Sequence, residues 1–349
     1  MSNRVYLDYN ATAPLREPAR SAMLAAMDLV GNPSSVHAEG RKAKAMLETA
    51  RAQVATALGA DGADVIFTSG ATEAAALGLA NASLTCSAVE HDAVTSYCKA
   101  TLVCDEQGLV DVPSPSSSAL QYANSETGVV QSIPKDIKFC DMSQAFGKLP
   151  IAFNWTGAQM AVVSAHKIGG PKGVGALVVK RGTEIQAQIK GGGQEMGRRS
   201  GTENLVGIAG FGAAAVSAAK DLKTGVWEEI VILRDFLENA IAEVDPSTII
   251  VSRQARRLPN TCCLITSGWK GETQVMQMDL DNIAVSAGSA CSSGKLKSSE
   301  VLKAMGFDDV AASSSIRISL GPDTTKGEVD RFIGCWAEKR NKYQLKRAG

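Results

Sequence analysis

The stretch from Met160 to Lys180, MAVVSAHKIGGPKGVGALVVK, constrains this chain more than any other. A run of small and β-branched residues ends at a lysine, and a glycine-rich turn follows at once. Ala161 to Ser164 reads as a buried strand, Lys167 as a lysine at its mouth, and Gly175 to Lys180 as the next strand. An amine held there can be shielded from water, which makes it a nucleophile toward aldehydes. The plainer reading is a surface lysine just past a strand. The neighbours argue against it: His166 precedes the lysine, and Gly169, Gly170, Gly173 and Gly175 let backbone approach a bound group closely.

At 349 residues the chain can bury a large core, as two domains or as one with an appendage, and an apolar content of 45% agrees with an ordered globule. Acidic and basic residues number 36 each, so no electrostatic ground exists for a nucleic-acid or membrane partner. Small-molecule chemistry is the default. The opening MSNRVYLDYN has no signal-peptide pattern and no apolar run approaches the length of a bilayer span, so a cytoplasmic protein is expected. The eight cysteines contain no CxxC pair, which suits a reducing compartment. With three scattered histidines, a metal cluster is not expected.

Several further segments carry chemistry in their own residues. VIFTSGATEAAALGLA (65–80) reads as strand, glycine turn and helix, and the start of that helix is an anion site. AVEHDAV (88–94) ends a strand with His91 at its mouth, facing the usual ligand crevice of an α/β sheet. FCDMSQAFGKLP (139–150) delivers Asp141 to a strand end, where a carboxylate either caps a turn or pairs with a ligand. GNPSSVHAEG (31–40) is a loop that launches a helix over 43–58, and GGGQEMGRRSGTEN (191–204) taken alone is a solvated basic turn. AVSAGSACSSGKL (284–296) holds Cys291 among small residues, with Lys295 and Lys297 near enough in sequence to favour thiolate. Arg317 sits in SSIRISLG, as a strand arginine that needs a carboxylate.

SAHKIGGPKGVGALVV resembles the pyridoxal-phosphate lysine motif of the cysteine desulfurases, the NifS and IscS group of the class V aminotransferases, and the likeness extends over nearly the whole chain. It implies an α/β chain of the PLP-dependent transferase fold type I. A large domain at 16–222 would hold a mostly parallel seven-stranded sheet, and residues 1–15 plus 223–349 would form a smaller α+β domain carrying the catalytic cysteine loop. The implied reaction converts L-cysteine to L-alanine, with sulfur passing to Cys291 as a persulfide and then to an acceptor protein, an iron–sulfur scaffold or sulfur carrier. The resemblance assigns Lys167, Cys291 and His91 to catalysis. Around pyridoxal 5′-phosphate it places Ala71 and Thr72 at the phosphate, His91 on the ring, Asp141 on the pyridine nitrogen, Gln144 on the phenolic oxygen, and Ser164 and His166 beside Lys167. Thr202 would reach the phosphate of the partner subunit's cofactor, which implies a homodimer with shared sites. Substrate contacts fall to Arg317, whose guanidinium fork matches an α-carboxylate, and to Asn32 and Asn124. A selenocysteine lyase or a class V aminotransferase would share this site without relying on Cys291 in the same way. A degenerate homologue acting as a binding partner is the rival from another class.

The chain also departs from the family. Where its relatives have crossover helices, this sequence has VDVPSPSSSAL and QSIPKDIKF, too short for a helix of normal length. The links at Val112–Ala119 and Ser132–Lys138 are therefore expected to be loops, leaving part of one sheet face less covered. In ANSETG (123–128), Ser125 stands where an asparagine commonly contacts the cofactor, so a direct hydrogen bond there becomes water-mediated or vanishes. Helices are expected over Leu205–Lys220 and Trp227–Val244, and a last one opened by a capping box from Thr325 to Glu328.

Overall fold

The strand expected before Lys167 runs from Met160 to Ser164 and lies in the middle of a sheet. A computed structural model describes residues 4–288 and 298–348. In chain order the first part contains β1 (Val5–Tyr6), α1 (Glu17–Met27), α2 (Ala38–Ala57), β2 (Asp64–Thr68), α3 (Ala71–Leu79), β3 (Thr85–Ser87), α4 (Asp92–Thr95) and β4 (Lys99–Leu102). There follow β5 (Ala119–Gln121), β6 (Phe139–Asp141), α5 (Phe153–Thr156), β7 (Met160–Ser164), β8 (Gly175–Val179) and α6 (Leu205–Lys223). Five strands pair in the order β2-β8-β7-β6-β5, with β8 antiparallel to both neighbours and the other pairs parallel. A parallel bridge from Thr85 to Ser118 then joins the parallel pair β3-β4 to β5. The result is the expected parallel-rich array of seven strands.

These strands are short runs of Val, Ile, Ala and Phe because both faces of the sheet are covered. Alternate residues go to opposite sides. Val65, Phe67, Cys140, Ala161, Val163, Ala176 and Val178 meet Leu47, Ala50 and Val54 of α2 and Phe211, Ala214 and Ala218 of α6. Ile66, Phe139, Met160, Val162, Leu177 and Val179 meet Ala74, Ala75, Leu77 and Leu79 of α3. Helix α6 corrects one expectation: its 19 residues are long and apolar enough to cross a membrane by length and composition. Its small residues serve another purpose. They let α6 pack tightly on α1 and α2, and a Cβ at Gly212 would stand 2.9 Å from the Ala50 Cα.

The links at Val112–Ala119 and Ser132–Lys138 contain only one 3-10 turn, Pro115–Ser117, as expected. The less-covered stretch of sheet face does not follow. Leu120 of β5 and Cys140 of β6 are fully buried, because Ile137 of the second link, with Val110, Val112, Tyr122 and Ile133, packs on their face where a helix would otherwise lie.

The remaining elements are α7 (Val226–Val244), β9 (Ile249–Ile250), β10 (Thr261–Ile265), α8 (Gly271–Leu280), β11 (Ile283–Ala284), β12 (Ser286–Ala287), α9 (Glu300–Ala304), α10 (Asp309–Ser313), β13 (Ser315–Ser319) and α11 (Lys326–Ala348). An antiparallel sheet of order β12-β13-β10-β9 packs with α7, α8 and α11 around Trp227, Trp269, Phe332 and Trp336. Val5 and Leu7 belong to this second core, and β1 pairs in parallel with β11. The capping box is formed: Thr325 N donates to Glu328 Oε2 (2.8 Å) and Glu328 N to Thr325 Oγ1 (3.3 Å). The N-terminal arm therefore stitches the two cores together, and its turn at 8–12 enters the site.

Candidate active site

A cavity of about 620 Å³ opens where β2, β6 and β7 end, against the arm residues Asn10, Ala11 and Thr12. Carboxyl ends of strands in such a sheet face a crevice by construction. Ser164 closes β7, and a 3-10 turn, Ala165–Lys167, carries the chain on. Lys167 reaches back across the cavity, its Nζ 2.6 Å from Asn10 O and 2.9 Å from Ala11 O. Asp141, the last residue of β6, also lines the cavity, and its Oδ1 is fixed by the Ser143 N–H at 2.8 Å.

The N-terminus of α3 forms the opposite wall. Gly70, Ala71 and Thr72 line the cavity, and no side chain caps this helix. Its first N–H groups thus present a positive end to any anion in the cavity. Gly175 makes that approach possible: a Cβ there would lie 2.6–2.8 Å from the backbone of Gly70 and Ala71.

His91 departs slightly from expectation. The strand before it stops at Ser87, and His91 instead caps the short helix α4, with Nδ1 accepting the Ala93 N–H at 3.1 Å. A neutral ring then carries its proton on Nε2. His166 also lines the cavity, and burial together with Lys167, Lys172 and Lys148 pushes its pKa down to about 4. Three buried polar atoms on the wall have no partner among the described residues: Thr12 Oγ1, Ser143 Oγ and His166 Nδ1. Buried polar atoms are seldom left in this state. With an anion cradle, an accessible amine and a carboxylate spaced around one cavity, the donor set fits pyridoxal 5′-phosphate.

Of the expected site residues, Ala71, Thr72, His91, Asp141, Gln144, Ser164, His166 and Lys167 all line this cavity. Thr202 does not; it lines an adjoining hollow that shares Ser69 and Gly173. Asn32 is exposed and accepts the Ser34 N–H in its own loop. Asn124 lies behind the wall, with Nδ2 on Val89 O and Oδ1 accepting from Glu126 N and Thr127 N. Ser125 faces the cavity, while its main-chain oxygen accepts from Asn10 Nδ2 and Arg317 Nη1. Arg317 is 1% exposed, bound to Asp8 Oδ1 at 2.8 Å, and its Nε has no partner among the described residues. Cys291 lies outside the described residues.

Sequence reasoning missed Asn10, Glu90, Glu126 and Lys148. Asn10 is the hub, holding Lys167, Gln144 and Lys148 at once. Glu90 is buried and Glu126 half-buried, and desolvation raises their carboxyl pKa values to about 8 and about 7. Lys148 was legible only as the residue four after Gln144.

Comparison with known proteins decides the family. The family model for aminotransferase class V matches residues 5–332. This chain belongs to that family. Among class V relatives, it is 37% identical to a cysteine desulfurase of Cereibacter sphaeroides, with 95% of this chain and 94% of the relative covered. It is 36% identical to the cysteine desulfurase IscS of Dictyoglomus turgidum, covering 95% and 93%. The solved structure of a NifS-like protein from Rickettsia africae superposes with a TM-score of 0.89 at 34% identity, covering 97% of this class V chain and all of the other. A structure described as SspA in complex with cysteine gives a TM-score of 0.75 at 28% identity, covering 92% of this chain and all of that one.

Proposed function

We propose that this enzyme is a pyridoxal-phosphate-dependent cysteine desulfurase. The observation that carries the reading is the convergence of Lys167, Asp141, His91 and Gln144 on one cavity at the N-terminus of α3, in a chain that matches cysteine desulfurases along its length. When bound, pyridoxal 5′-phosphate supplies an electron sink for the bonds at the substrate's α- and β-carbons. Lys167 would hold it covalently, the α3 N-terminus its phosphate, Asp141 its ring nitrogen and Gln144 its phenolic oxygen. The Asp141 carboxylate would keep that nitrogen protonated. Lys167 Nζ would take the Cα proton of L-cysteine, and the Asn10 and Ala11 carbonyls hold it in the cavity.

Arg317 would bind the substrate carboxylate in exchange for Asp8, its present partner. The Cys291 thiolate, assigned from the sequence, then attacks the substrate sulfur. L-cysteine and the Cys291 thiol become L-alanine and a Cys291 persulfide, so sulfur and protons balance. The persulfide is passed to an acceptor protein for iron–sulfur cluster or related cofactor synthesis. The reading also includes a cytoplasmic homodimer, with Thr202 completing the phosphate site of the partner. It divides the chain into 16–222 and 1–15 plus 223–349: the clusters on the two faces of the large sheet draw their buried residues from the first part and the cluster around Trp269 and Trp336 from the second, while a smaller cluster of Val89 and Cys104 with Val251 and Leu302 crosses the division.

The test is to incubate purified protein with L-cysteine and excess thiol and to measure alanine and sulfide together. Equimolar products are expected, with Cys291→Ser releasing almost no sulfide while still binding the cofactor. Pyruvate or keto-acid products without sulfide would favour an aminotransferase.

A further inference from the structure

Lys148 is 3% exposed, yet among the described residues no carboxylate forms an ion pair with it. Its Nζ donates to two neutral amide oxygens, Asn10 Oδ1 at 2.9 Å and Gln144 Oε1 at 2.8 Å. Two acceptors match the two N–H bonds of an uncharged amine, whereas an ammonium has a third donor to satisfy. The charged groups around it are cations. Burial first, then Lys167 and Arg317, hold its pKa well below the usual lysine range. A lysine walled in behind the cavity, with two amide oxygens as its acceptors, has no part in the function described above.

The consequence lies in Gln144. Its Oε1 is taken by Lys148, and its Nε2 donates to Asn10 O at 3.0 Å. An amide NH₂ has a second hydrogen, and Gln144 lines the cavity. Asn10 O, which can only accept, and Lys148 Nζ hold the amide the same way round from its two ends; without Lys148 the oxygen end loses its donor and the amide is held from the nitrogen end alone. We propose that Lys148 is a positioning residue: donating from Nζ to Oε1, it holds the amide of Gln144 from its oxygen end so that an N–H, rather than the carbonyl oxygen, stays turned to the cavity as a donor to an oxyanion of the ligand. The same amine braces Asn10, whose main-chain oxygen holds the reactive Lys167. This inference rests on the cofactor reading, with the ring oxygen as the oxyanion.

The test uses the pyridoxal-phosphate-loaded protein and reads colour instead of turnover. A donor to the ring oxygen favours its deprotonated form, so losing that donor raises the pH midpoint at which the bound chromophore changes colour. Lys148→Met, similar in length and without donors, is expected to raise the midpoint by about half a pH unit or more at equal cofactor occupancy. Gln144→Leu should raise it similarly, and Lys148→Met combined with Gln144→Leu no further, because the lysine acts through the amide. An unchanged midpoint in Lys148→Met, or shifts that add in the double variant, overturns the proposal and leaves the cofactor reading standing. A wild type that acquires no chromophore overturns both. Should Lys148→Met fail to fold, Lys148→Gln retains a donor amide and is titrated instead: a midpoint nearer to wild type than that of Gln144→Leu supports the proposal, and one equal to that of Gln144→Leu overturns it.

Discussion

Arg317 Nη2 lies 2.8 Å from Asp8 Oδ1, so the arginine proposed to bind the substrate carboxylate already has a carboxylate partner from the N-terminal arm. The arginine is buried, whereas the side chain of Asp8 is 17% exposed. A buried cation without a partner is costly, and Asp8 supplies that partner. Asp8→Asn is expected to destabilise the protein by about 2 kcal/mol, less than a fully buried pair because Asp8 is partly solvated. Bound L-cysteine should recover part of that loss by bringing its own carboxylate. Urea denaturation with and without L-cysteine measures both; an equal loss in the two conditions would place the substrate carboxylate elsewhere.

The amine that carries the cofactor is predicted to be Lys167. Borohydride-treated, cofactor-loaded protein should show the added mass on the peptide containing Lys167, and Lys167→Ala should stay colourless. Lys172 lines the same cavity and Lys148 lies just behind it, so both are real competitors in space. Mass on either one would refute the assignment.

Gly175 is where two backbones meet. It pairs with Thr68 at the end of β2 and Ser164 at the end of β7, and the atoms that a Cβ would strike belong to the backbone of Gly70 and Ala71, which cannot rotate away. Gly175→Ala is expected to cost about 1–3 kcal/mol and to push the α3 N-terminus outward. Cofactor affinity should fall more than stability alone explains, measured by fluorescence titration at a temperature where the variant is folded. Unchanged affinity would argue against α3 as the phosphate cradle.

How much of this was legible in the sequence follows from where the signals lie. Lys167, Asp141 and His91 each sit beside a strand of strong apolar pattern, so local reading placed them at strand ends, and strand ends converge in a parallel sheet. Arg317 was legible for the same reason in β13. Asn10 was not, because its role arises from contacts with residues more than a hundred positions away, Gln144 and Asn260 among them. The trimmed links were recognised by length, but the expectation of a less-covered sheet face failed. Apolar residues spaced irregularly along a loop, such as Val110, Ile133 and Ile137, cover a sheet without leaving any period to detect. Asn32 and Asn124 came from motif correspondence alone, and their bonds in this structure brace their own loops.

The last prediction concerns Glu90, buried beside Gln121 at the C-terminal end of β5, with Oε1 accepting the Gln121 N–H at 2.6 Å and Oε2 without a partner among the described residues. Burial, with a smaller contribution from Asp141, raises its pKa to about 8 from an unfolded value of 4.5. Between those values the folded chain binds a proton that the unfolded chain has released. Stability from this group is therefore complete below about pH 4.5 and is lost as pH rises toward about 8. His166 acts in the opposite sense: with its pKa lowered to about 4, it costs stability as pH falls from 6.5 through that value. Together they confine the optimum to the mildly acidic range. Glu90→Gln keeps a carbonyl for the Gln121 N–H and supplies a neutral N–H₂ where the protonated oxygen stood. Its unfolding free energy should fall less steeply from pH 6 to 8 than that of the wild type, by on the order of 2 kcal/mol over the interval. A shallow residual slope should persist, since Glu126 titrates at about 7 in the same direction. Guanidinium denaturation at pH 6, 7 and 8 decides it: parallel losses in the two proteins would show that Glu90 is already ionised in the fold.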